Sequence, residues 1–141
     1  MEEGVFRDCG ALTSVTIGNN VTSIGQDAFK GCKMLRSVKI PDSVTKIGWD
    51  AFSGCHNLKS ITIGNNVTSI ESGAFYDCRS LNAVHINDLS AWRKIVFSGK
   101  NSNPLSYAKK LYLKGKLLTD VIPDDVNNST PGKTRVSTFE L

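Results

Sequence analysis

The residues best able to do chemistry in this chain are four cysteines, Cys9, Cys32, Cys55 and Cys78, each 23 positions after the last. Thiolates that converge tetrahedrally at about 2.3 Å hold zinc. A pair within bridging reach forms a disulfide. The spacing argues against both. Equal steps make the four cysteines equivalent members of one repeat, and equivalent residues of stacked repeats lie in a row about 4.8 Å apart. A straight row cannot close around one ion, and parallel side chains give poor disulfide geometry. What remains is a buried column of thiols packing as small hydrophobes. No metal and no cofactor is expected. Buried thiols suit either redox compartment, so cysteine usage does not place the protein.

Two histidines are the other candidates for acid–base work. His56 follows Cys55 in a slot held elsewhere by Gly10, Lys33 and Arg79, and is expected to be exposed and idle. His85 falls in the slot of Thr16, Lys39 and Thr62, on the outward side of a strand. The repeat is not expected to bring a nucleophile, an orienting carboxylate or a metal partner to either ring. No P-loop, dinucleotide fingerprint, HExxH or GxSxG is present in the 141 residues. Asp42, Asp50 and Asp77 fall at turn positions and read as turn formers. The chain is expected not to be an enzyme.

The elements that position these residues come from the same period. Phe6, Phe29, Phe52 and Phe75 keep the 23-residue step, as do Leu12, Leu35, Leu58 and Leu81, and Ile17, Ile40, Ile63 and Ile86. GNNVTSI stands unchanged at 18–24 and 64–70. Self-similarity at one period is the mark of a repeat architecture. Within a unit, Leu35-x-x-Val38-x-Ile40 alternates with period two and is rich in β-branched residues, which predicts a short strand. Pro41-Asp42-Ser43 and Gly64-Asn65-Asn66 are turn chemistry. Val44–Ile47 predicts a second, shorter extended piece, and Ala28, Phe29 and Cys32 share one face of a helical turn. Strand, turn, extended piece and helical turn make one coil. A coil this small cannot offset its own ordering entropy, so the coils must stack, with their strands in a parallel ladder.

The unit, AFxGC followed by L-x-x-V-x-I-P, resembles the BspA-like, or Treponema pallidum-type, leucine-rich repeat over residues 5–86. The resemblance implies an α/β fold: a curved right-handed solenoid of 23-residue repeats, with a short parallel β-ladder on the concave face and helical turns or extended pieces elsewhere. It also implies a bacterial surface or secreted protein of adhesin-like role, whose partner is a protein of a host or neighbouring cell.

The predicted organisation is a solenoid over 5–126 and a polar tail, expected to be disordered, at 127–141. The solenoid divides into four repeats at 5–86, an insertion at 87–117 and the start of a fifth repeat at 118–126, where Ile122-Pro123 matches Ile40-Pro41. In the insertion, Asp88–Ile95 predicts a short amphipathic helix with Leu89, Trp92 and Ile95 on one face. Asn103-Pro104 predicts another helical turn, and Leu111–Leu118 predicts strand, turn, strand. Both termini fall in mid-repeat without polar caps, so the chain is expected to be part of a longer array.

Charge divides unevenly. Residues 1–86 hold eight basic and eight acidic groups, and residues 87–141 hold nine and five, so the second part supplies the whole net charge of +4. Arg93, Lys94, Lys109, Lys110, Lys114 and Lys116 form a candidate basic patch for a polyanion; the alternative is a solvated surface. The other candidate surface is the outward set of the strands: Ser14, Thr16, Ser37, Lys39, Ser60, Thr62, Ala83 and His85. Variable side chains on a fixed frame are where a solenoid binds its partner. Trp49, in a slot shared with Gln26 and Ser72, is expected to be exposed. Three functions therefore compete: a protein-binding module of a surface protein, an intracellular scaffold or spacer, and a polyanion-binding element at 93–116.

Overall fold

The computed structural model describes residues 1–118. In chain order its elements are β1 (Ser23–Ile24), β2 (Ser37–Lys39), β3 (Lys46–Ile47), β4 (Ser60–Thr62), β5 (Ser69–Ile70), β6 (Ala83–Ile86), α1 (Leu89–Arg93), β7 (Val96–Phe97), α2 (Leu105–Ala108), β8 (Leu111–Leu113) and β9 (Lys116–Leu118). The strands sort into two sheets, and the alternation along the chain explains why. The Val38, Ile61 and Val84 side chains point inward while their strand neighbours do not, so β2, β4, β6 and β8 lie parallel in one long ladder. The second extended piece of each coil gives a shorter ladder of β1, β3, β5 and β7, also parallel. The fold is a stack of coils with two ladders on its sides. The helical turns expected within the coils are hydrogen-bonded turns; both described helices belong to residues after 86.

Two columns fill the centre. The Phe6, Phe29, Phe52 and Phe75 rings stack at centroid distances of 5.4, 5.2 and 5.5 Å. Beside them the thiols line up: Cys32 donates to the Phe6 carbonyl at 3.1 Å, Cys55 to Phe29 at 3.2 Å and Cys78 to Phe52 at 3.1 Å. All four cysteines are free thiols. Burial removes the stabilisation that water gives a thiolate, so Cys32 is pushed up to about 11 and Cys78 to about 12, and Cys55 is raised as well.

The tight turns between these columns need left-handed backbone. Asp8, Gly31, Gly54 and Asp77 take φ values of 59, 75, 74 and 60° at equivalent places. Glycine and aspartate are the residues that tolerate this region. At Gly31 a β-carbon would meet the Asp8 carboxylate of the coil before it, so the glycine also answers a close approach.

The rhythm break after Ile86 is a lengthening. Earlier coils step 23 residues, as in Ile24 against Ile47. Ile70 pairs with Phe97, and Val84 with Leu111, a step of 27 in both ladders. The four extra residues accompany α1, which Asp88 caps by accepting the Ala91 N–H at 3.1 Å. Leu89 and Trp92 are buried on its inner face. Residues 87–113 thus form the next coil. After it, β9 folds back antiparallel on β8 through Lys114–Gly115. The predicted restart at 118–126 and the tail at 127–141 lie outside the described residues, Leu118 excepted.

Candidate functional site

The long ladder places the outward strand residues in straight columns. Lys39, Thr62, His85 and Tyr112 are consecutive register partners, as are Ser37, Ser60 and Ala83. Their backbone neighbours on the inner side are buried, which fixes each outward side chain. Lys39 and Ser37 are exposed; Ser60, Thr62 and His85 are half-buried. Lys39 stands between two depressions, one shared with Thr16 and Asn19, the other with Asp42, Thr62 and Asn87.

Three members of the expected strip fit it less well. Ser14 and Thr16 are exposed but lie before the ladder begins, in a segment without strand pairing; Arg36 N–H reaches Thr13 O at 3.3 Å. Ala83 is buried, with 8% exposure. It offers little to a partner.

Tyr112 is a strip residue that the 23-residue count does not find. It stacks on His85 with ring centroids 4.8 Å apart and planes 19° from parallel. The lengthened step hides it: it stands 27 positions after His85. The signal was available, since Leu111-Tyr112-Leu113 has the inward–outward–inward pattern of a ladder strand.

The basic residues separate. Arg93 and Lys94 end α1, which leads into β7 of the short ladder. Lys109 and Lys110 lead into β8 of the long ladder, and Lys114 and Lys116 sit at the hairpin beyond it. All six are exposed, but they belong to two sides of the rod. The aromatic residues of this segment are mainly structural. Trp92 is buried against Phe97, edge-on at 5.4 Å, and the Tyr107 hydroxyl accepts the Asp77 N–H at 3.0 Å.

His56 is not idle, contrary to expectation. Its Nε2 lies 3.0 Å from Asp77 Oδ2. Arg79 donates to the same carboxylate from Nε at 2.8 Å and from a terminal nitrogen at 3.0 Å. The Arg79 bonds, seconded by His56, hold the Asp77 carboxyl down at about 2. The repeat count missed the contact because it aligns His56 with Arg79, and the partner stands two residues earlier. The remaining turn acids are also engaged. Arg7 pairs with Asp27 at 3.1 Å and Lys30 with Asp50 at 3.1 Å. Asp42 accepts the Asn65 N–H at 2.8 Å. Trp49 is exposed, beside Gln26 and the Lys46–Glu71 pair at 3.7 Å.

These coils, with their paired ladders and stacked Phe and Cys columns, match a BspA type leucine-rich repeat region in six copies over residues 1–114. The chain belongs to that family. A leucine-rich cell surface protein of Faecalibacterium prausnitzii is similar over 66% of this chain and 25% of its own, at 36% identity and a TM-score of 0.63. The pneumococcal vaccine antigen PcpA is similar over 83% of this chain and 32% of its own, at 25% identity and a TM-score of 0.54. The chain therefore spans a quarter to a third of these two proteins. The Treponema pallidum leucine-rich repeat protein aligns at 29% identity over 70% of this chain and 61% of its own, with a TM-score of 0.45. No curated protein matches. Among the described residues, no helix is long and apolar enough to cross a membrane, and no group of three metal-binding side chains comes together.

Proposed function

We propose that this chain is a non-catalytic protein-binding module of a bacterial surface protein, and that it binds through the long ladder. The observation that carries the reading is the column Lys39, Thr62, His85 and Tyr112: four different outward side chains on a frame whose inward residues barely change. Leucine-rich repeats generally bind proteins, and one similar structure is described as a cell surface protein and another as a vaccine antigen. Both support placing the parent protein at the surface, and the proposal gives it an adhesin-like role there. Four rungs at about 4.8 Å make a strip some 15–20 Å long, short beside the roughly 800 Å² per partner of a stable interface. Binding by this chain alone is accordingly weak, and neighbouring coils would add to it.

The test is a display selection of random peptides on the immobilised 141-residue chain, repeated on Thr62→Trp, which puts a bulky ring in the middle of the strip. Binders that Thr62→Trp no longer holds locate the site on the ladder. Binders that it retains would move the site elsewhere.

A further inference from the structure

The charges of the described rod are segregated. Its acids are Glu2, Glu3, Asp8, Asp27, Asp42, Asp50, Glu71, Asp77 and Asp88. None lies in a strand of the long ladder or in the three residues that lead into one. Most sit in the left-handed turns or beside the short ladder, where the ion pairs of Arg7, Lys30, Lys46 and Arg79 gather. The two acids nearest the long ladder, Asp42 and Asp88, lie past the strand ends and accept backbone N–H groups.

The cations of the ladder face are placed otherwise. Arg36 and Lys59 occupy equivalent positions just before β2 and β4, joined by the Lys59 N–H to Arg36 carbonyl bond at 2.8 Å. Lys39 stands in the outward column. Lys109 and Lys110 precede β8, and the Lys110 carbonyl accepts the Val84 N–H at 2.9 Å. All five side chains are exposed, and among the described residues none is in an ion pair. Between them lie hydroxyls (Ser37, Ser60, Thr62) and the half-buried His85–Tyr112 stack. Unpaired like charges on one face repel each other, and a partner of opposite charge relieves that.

We infer that the ladder face docks an acidic polypeptide segment, laid across the strands, with carboxylates at Arg36, Lys39, Lys59, Lys109 and Lys110 and an apolar or aromatic side chain against His85–Tyr112. This deepens the reading above and rests on it. A polypeptide suits the face better than a uniform polyanion does, because hydroxyls and the stacked His85–Tyr112 rings stand among the cations. An extended segment of about six residues spans four rungs.

The experiment is fluorescence anisotropy with the full chain and a labelled peptide of about eight residues, mostly glutamate with one central tyrosine. Binding is expected to weaken about tenfold between about 50 and 200 mM salt. The triple reversal Arg36→Glu, Lys39→Glu, Lys59→Glu is expected to lower affinity by more than about tenfold, while Lys100→Glu, on the turn that faces Gly73, leaves it unchanged. Circular dichroism of each variant confirms the fold, and Arg36→Gln with Lys59→Gln gives an intermediate loss without reversal. The inference is overturned if the peptide does not bind, if the reversal and Lys100→Glu act alike, or if heparin binds through these cations and the peptide does not. Selected peptides that Thr62→Trp blocks but that carry no excess of acids would sink the acidic partner and leave the ladder site standing. Peptides indifferent to Thr62→Trp would sink both.

Discussion

In the coils up to Ile86, the centre of the rod is filled by stacked phenylalanines and thiols, all repeated at one interval. In the coil after it, the same positions fall to Ser102 and Leu105, both fully buried, and the apolar volume moves outward to Trp92 and Phe97. The backbone ladders continue through both regions unbroken. The comparison separates two requirements that the regular coils merge. Ladder hydrogen bonds set where a coil sits, and they tolerate four extra residues. The central column sets how tightly neighbouring coils pack, and its composition changes where the coil lengthens.

The contrast is sharpest at Phe52, which has a ring on each side and no exposure. Phe52→Ala is expected to lose about 3–5 kcal/mol in urea unfolding. Ser102→Ala, at the equivalent place in the lengthened coil, is expected to cost far less; equal losses would erase the distinction. Next comes backbone approach. A β-carbon at Gly48 would lie 2.7 Å from Gln26 N, whereas at Gly115 it would meet nothing within 4 Å. Gly48→Ala is expected to cost about 1–3 kcal/mol through forced backbone shifts, and Gly115→Ala about 1 kcal/mol through its positive φ alone. Thermal melts of the two variants rank them.

Asp88→Ala removes the cap of α1 and is expected to cost about 1 kcal/mol. Hydrogen exchange would place the loss in residues 88–95 and leave the earlier coils protected. The smallest effect is acid sensitivity. Asp77 is held at about 2, below its ordinary 3.8, by Arg79 and then His56. A carboxyl lowered by folding stabilises the fold above about pH 4, and that contribution fades as pH falls from there towards 2. Asp77→Asn is expected to flatten the fall in melting temperature across that window. An unchanged profile would show that the carboxylate does nothing beyond shaping its turn.

The repeat was legible because burial acts on every coil alike, so Phe29, Cys32, Leu35 and Val38 return at one interval and name their own neighbours. The helix at 89–93 was legible from its cap and its apolar face. Tyr112 was not, because the count that finds His85 fails once α1 lengthens the coil. The His56–Asp77 contact was not, because side chains reach diagonally between coils while a period aligns only like with like. Ala83 was misjudged for a related reason: alternation says which way a residue points, and not how much of a small side chain its neighbours leave exposed. The candidate basic patch grouped Arg93 with Lys110 by sequence nearness, and the ladders part them.

Each buried sulfur is tethered to the backbone of the adjacent turn, so a reagent can reach it only when those two turns part. Alkylation rates at Cys32, Cys55 and Cys78 would then time the opening of three successive seams along the rod. The molecule carries its own internal clocks for where it breathes first.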